Sequence, residues 1–214
     1  MSNRVYLYCT NFKSIPKPDE WDAFNRQSGV EYEAKACIPI FWLCLFSISD
    51  IKIVSSDHNG FDDDWRPYAY LLCSRQSGIE RLRVRSLMIK NALGDIRFSL
   101  YSEWLQRMEN EPYDNVLVLT EELDWMEQEE GALEKMLIKS LQHLEKVSAE
   151  GSMKMSNAMN DIAGLWSEET LNECESYELS GNANENPSWP LPFVKISKNA
   201  GVVIPNKPWW IFWR

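Results

Sequence analysis

Asp57, His58, Asp62, Asp63 and Asp64 form the cluster in this sequence with the oxygen-ligand character that a hard cation needs. Their spacing argues against that use. A calcium loop requires acids at alternate positions, a glycine at the sixth and a glutamate at the twelfth, whereas three consecutive aspartates near Asn59-Gly60 read as a solvated turn or a patch of a partner interface. Paired carboxylates, Glu121 with Glu122 and Glu129 with Glu130, are of the right type for acid–base work. Adjacent residues on a helix, however, point in different directions. The two histidines, His58 and His143, lie far apart in the sequence, and His143 falls in a helical pattern that favours an ordinary surface role. No phosphate-binding loop, dinucleotide fingerprint, nucleophile elbow or H-E-x-x-H motif occurs. The expectation is a protein that works by binding, with no catalytic residue, cofactor or metal.

The charge pattern says where it binds. Between residues 109 and 186 there are 19 acidic side chains against four lysines (135, 139, 146 and 154), while the first 108 residues hold 14 basic and 13 acidic groups. The centre of the acidic part, residues 120–150, has helical periodicity: Leu123, Met126, Leu133, Leu137, Leu141 and Leu144 fall on one stripe at 3.6 residues per turn, widened by Met136 and Ile138. Thr120 is placed to cap its start and Gly151 to stop it. Gly131 costs about 1 kcal/mol in a helix interior and marks a bend or a break into two shorter helices. The helix dipole accounts for acids in the first turn, Glu121, Glu122 and Asp124, but not for Glu127, Glu129 and Glu130, which also lack a Lys or Arg four residues later. Surplus acid on a helix surface is either a solubility device or a docking face for a basic partner. The arginines of the preceding helix, Arg81, Arg83 and Arg85, offer a third reading, in which they pack on the acids and neutralise part of them.

The elements that must position these residues read as an α+β fold: one domain over residues 1–214, mostly helical, with a small, mainly antiparallel sheet. Strands are expected at 3–9, 51–54, 68–74 and 116–119. Residues 11–36 read as loop with a helical turn at 19–24. The apolar run from Ile38 to Phe46, with Pro39 at its first turn, suits a buried helix, with a buried strand as the alternative. Ser77 and Glu80 have capping-box spacing for a helix to about residue 92, and a second helix covers 98–108. Further helices are expected at 155–165 and, behind Ser167, at 168–177. A loop over 180–192 leads to a hairpin of 193–196 with 201–204. The aromatic end, residues 209–213, is expected to dock into the core as a last strand rather than serve as an external anchor.

Composition sets outer limits. With 214 residues, 44% of them hydrophobic and ten of them tryptophan, the chain has enough apolar material for a core and argues against disorder. A net charge of −10 disfavours nucleic acid and anionic membranes as partners. No signal peptide is read at the N-terminus, the apolar run 36–48 is too short to span a bilayer, and five scattered cysteines without a C-x-x-C pair suit reduced thiols in the cytoplasm.

The opening Asn3-Arg4-Val5-Tyr6-Leu7-Tyr8, with Pro39, Trp42, Leu45 and Phe46, resembles a loosely defined family of uncharacterised bacterial proteins that begin N-R-x-Y-L-Y. Some of these look like immunity proteins encoded beside polymorphic toxins, including effectors of contact-dependent or type VI secretion. The resemblance covers roughly the first 50 residues. It implies tight binding of one cognate protein toxin in the cytoplasm of the producing cell, by occlusion and without turnover. The residues expected to meet that toxin come from the charge pattern instead: Glu121, Glu122, Asp124, Glu127, Glu129, Glu130, Asp62, Asp63 and Asp64, with Trp125 and Trp166 as aromatic anchors among acids. An enzyme that reverses a toxin's modification, and a general acidic adaptor, are the alternatives.

Overall fold

In the run Arg4–Thr10, Val5, Leu7 and Cys9 alternate with Tyr6 and Tyr8, and that period of two gives both faces of a strand something to bury. This strand, β1, lies inside a six-stranded antiparallel sheet. The computed structural model describes residues 3–54, 67–151, 154, 156–165, 171, 173–186, 188–193, 195–196 and 203–204. The other strands are β2 (Ser28–Lys35), β3 (Ile51–Ile53), β4 (Ala69–Ser74), β5 (Asn115–Leu119) and β6 (Asn182–Ala183), in the order β3-β4-β5-β1-β2-β6. A separate antiparallel pair, β7 (Lys195–Ile196) with β8 (Val203–Ile204), is the expected hairpin. The chain is α+β, as its patterns predict.

Residues 11–36 correct the reading as loop. A short helix, α1 (Trp21–Arg26), includes the expected turn, but β2 follows it and pairs along almost the whole of β1. Tyr32 and Ala34 are buried on the core side, while Glu31 and Glu33 stand opposite Tyr8 and Tyr6 on the other side.

The main core lies on the Leu7 face of the sheet. The apolar run crosses it as one helical turn, α2 (Ile40–Leu43), and every residue from Ile40 to Phe46 is buried. Such irregular buried backbone needs partners for its carbonyls. Arg85 supplies them: its Nη1 donates to the carbonyls of Leu43 (3.4 Å), Cys44 (2.9 Å) and Phe46 (2.8 Å). Arg81 donates to Leu45 O at 2.9 Å and pairs with Asp50 at 2.8 Å. A second, smaller cluster on the opposite face packs Tyr8, Tyr68, Tyr70 and Leu117 against Ile15, Phe24 and Val54.

Both arginines belong to α3 (Arg75–Asn110), which connects β4 to β5. Its cap is Ser74 rather than Ser77: the Ser74 hydroxyl accepts the Ser77 amide at 3.2 Å, and Glu80 accepts from Gln76 instead of closing a capping box. The helix starts early because the β4–β5 ladder ends at Ser74, which frees the backbone to turn. Gly94, at φ +72° and ψ 172°, divides α3 into the two helices expected on either side of it.

The acidic run 120–150 also divides. Its first helix, α4 (Glu121–Asp124), ends at Asp124, and Gly131, at φ +72°, stands at the start of the second, α5 (Ala132–Glu150), so of the bend and the break expected here it is the break that occurs. Leu133, Leu137, Leu141 and Leu144 form the buried stripe of α5, and Gly151 ends it as expected. Thr120 is not a side-chain cap. It is fully buried, and its hydroxyl donates to Ala69 O in β4. Thr120→Val keeps the shape and removes this bond, so a loss of about 1 kcal/mol in urea unfolding is expected.

After α5 come α6 (Asn157–Ala163), capped by Ser156, and α7 (Ser176–Ser180). The expected helix 168–177 is corrected where it is described: Leu171 and Glu173 are helical, but Cys174 and Glu175 are not, and Ser176 and Tyr177 open α7 behind Glu175; the aromatic end 209–213 lies outside the described residues. The cysteines are free, four of them buried, and burial pushes the Cys44 and Cys73 thiols up to about 12, which leaves them unreactive near neutrality. Among the described residues no helix is long and apolar enough to cross a membrane.

Candidate partner-binding surface

Strand β5, an inner strand, ends where α4 packs on its two neighbours, β1 and β4, and on α5. One turn of helix has only one inward side. Thr120 and Asp124, four residues apart, share it with Leu123, and their exposures are 0%, 1% and 6%. The chain then leaves helical geometry in a run of tight turns: the amides of Trp125, Met126 and Glu127 donate to the carbonyls of Glu121 (3.1 Å), Leu123 (3.2 Å) and Asp124 (2.9 Å). With the inward side taken, Trp125 and Met126 are pushed outward, to 58% and 47% exposure.

Six of the expected partner-facing residues therefore gather around one turn. Glu129 and Glu130 are exposed, Glu121, Glu122 and Glu127 are half-buried, and Trp125 stands among them. Asp124 is corrected: it faces the interior, and with Glu121 it adds to the effect of burial in raising the Tyr68 phenol. Met126 is corrected too: α4 ends at Asp124, so Met126 lies in the turn beyond it and not on the apolar stripe of α5. Asp62, Asp63, Asp64 and Trp166 lie outside the described residues.

The reading in which the arginines of α3 neutralise this surface is corrected. Arg81 pairs with Asp50, Arg83 with Glu109 at 2.7 Å, and Arg85 is spent on the α2 carbonyls. Arg4 does approach: its backbone amide donates to Glu122 at 2.7 Å, while its guanidinium reaches Glu33 at 3.1 Å. Crowding is visible at Glu121, whose carboxyl is raised above the usual range first by burial and then by the charge of Glu122.

Glu31 and Glu33 were not read as surface acids of this site. Glu33 is joined to the turn through Arg4 and Glu122, while Glu31 accepts from the Tyr8 hydroxyl and the Asn184 amide. Burial, then the bond to Glu31, raises the Tyr8 phenol. The alternation Val30-Glu31-Tyr32-Glu33-Ala34 was the available signal.

The turn offers an apolar projection with acidic residues before and after it in the chain, which is the composition of a protein-binding hot spot with a charged rim. His143 sits half-buried on α5, away from the turn's acids in sequence, and burial followed by Lys146 lowers its pKa. Among the described residues no group of three or more His, Cys, Asp or Glu could hold a metal ion. No protein-family model, curated protein or solved structure matches the chain.

Proposed function

We propose that this protein is an immunity-type inhibitor: it binds one cognate bacterial toxin through the turn between α4 and α5 and occludes it without turnover. The observation that carries the reading is the exposed Trp125–Met126 pair, flanked in the chain by Glu121 and Glu122 on one side and by Glu127, Glu129 and Glu130 on the other, all of them exposed or half-buried. A toxin that acts on nucleic acid or nucleotides has reason to carry a basic cleft, and an acidic surface is steered into such a cleft. The resemblance of residues 3–8 and of the first apolar run to immunity proteins supplies the partner class, and the charge and exposure of the turn supply the mode.

The test is the triple variant Glu127→Lys, Glu129→Lys, Glu130→Lys, titrated against the toxin-like product of the adjoining gene. These side chains are exposed or half-buried on a turn, so folding should be retained. The association rate should fall at least about tenfold at low salt, and the loss should shrink as salt is raised. Unchanged neutralisation by a folded variant would place the interface elsewhere. Protection at far less than one inhibitor per toxin would instead favour an enzyme.

A further inference from the structure

The outer face of α3 carries a second apolar projection. Val84 is 74% exposed and Leu87 63%, and three residues of separation place them side by side on the helix. Val84 also lines a shallow groove where α3 meets the C-terminal end of α5, together with Ser77, Glu80, Glu145 and Ala149. Asn91 Nδ2 donates to Gly151 O at 3.1 Å and ties the two helices together beyond the patch.

The charges around this patch differ in kind from those at the turn. Arg81 pairs with Asp50 (2.8 Å), Arg83 with Glu109 (2.7 Å) and Lys90 with Asp95 (3.4 Å). In a chain of net charge −10 this strip is nearly balanced. Two acidic molecules can approach each other here without the repulsion that contact through their acidic turns would bring.

We infer that this face joins two copies of the chain in a homodimer. A two-fold axis crossing α3 between Val84 and Leu87 sets the helix antiparallel to its copy. Val84 of each then stands opposite Leu87 of the other, and Glu80 of each comes within one residue's rise of Lys90 of the other. An isologous patch has to satisfy its own charges, and an acid and a base placed symmetrically about an apolar centre do so. The helix alone offers too little area for a stable interface of about 800 Å² per partner, so the end of α5 with Glu145 and Ala149 has to share the contact. Some 14 residues of α5, about 20 Å along the axis, separate that end from Gly131, so each copy keeps its Trp125 turn open. The dimer therefore does not depend on the proposed inhibitor role.

Sedimentation equilibrium of the full chain at loading concentrations up to about 100 μM, a range that detects even weak self-association, gives the test. The wild type is expected to reach twice the chain mass, with little effect of salt. Val84→Glu with Leu87→Glu should leave a monomer with unchanged circular dichroism and thermal unfolding, because both side chains are exposed in the monomer. Glu80→Lys should weaken the dimer at low salt, and adding Lys90→Glu should restore it. A wild type that stays monomeric at the highest concentration overturns the proposal. So does a dimer that survives Val84→Glu with Leu87→Glu, or one that Trp125→Ala dissolves instead.

Discussion

Arg85→Leu is expected to lower the free energy of unfolding by about 4 kcal/mol, a large share of the roughly 5–15 kcal/mol that holds a domain of this kind together. Arg85 is only 4% exposed, and its guanidinium serves three buried carbonyls at the end of α2. Burial lowers its pKa, as expected for a cation held away from water, and the carbonyl dipoles are what make that position tolerable. Leucine fills part of the volume but leaves Leu43, Cys44 and Phe46 with acceptors that have lost a donor, each costing about 1–3 kcal/mol less whatever water can repay. All three bonds come from the one Nη1, so the Arg85→Lys ammonium can replace some of them, but from a shorter and more flexible stem, and its loss should be smaller than that of Arg85→Leu. Arg83→Leu, two residues away, removes only the partly exposed pair with Glu109 and should cost under about 1 kcal/mol. Urea unfolding of the three variants measures the contrast. Equal losses for Arg85→Leu and Arg83→Leu would show that the buried carbonyls do not depend on the guanidinium.

The same side chain shows why part of this fold was legible and part was not. Strands β1, β4 and β5 are readable because each is built from apolar, β-branched or aromatic residues in a short run. Strand β2 has the same period of two, but its outward row is Glu31, Glu33 and Lys35, and a segment read for polarity rather than periodicity passes as loop. Arg85 looked like one more cation beside an acidic helix. Its true partners are backbone carbonyls some 40 residues earlier, which no side-chain pattern advertises.

The acidic turn divides in the same way. Its composition was plain from the residues, but its geometry hung on the early end of α4 at Asp124 and on Gly131, whose positive φ starts α5 out of phase with it. A continuous helix would have buried Met126 and exposed Asp124. The break reverses both, so the apolar residues that stand out for a partner include one assigned to the core. Acidity and Trp125 could be read in one dimension, whereas the outward projection of the pair is a product of the packing of α4.

Trp125→Ala is expected to weaken toxin binding about 100-fold, equivalent to about 2.7 kcal/mol, while changing stability by less than about 0.5 kcal/mol. The asymmetry follows from exposure: at 58% exposed, the indole gives little to the folded monomer and offers its remaining surface to a partner. Leu123→Ala is the matching control, because Leu123 is 6% exposed under the same turn and its truncation should cost about 2–5 kcal/mol of stability. The kinetics carry a sharper prediction. An aromatic anchor acts after docking, so Trp125→Ala should raise the dissociation rate, with a loss that changes little with salt. Reversal of Glu127, Glu129 and Glu130 acts before docking and should slow association in a salt-dependent way. Surface plasmon resonance at two salt concentrations separates the two effects. If Trp125→Ala lowered only the association rate, or left both rates unchanged, the indole would not be seated in the partner, and the carboxylates of the turn would then be steering the toxin to some other surface.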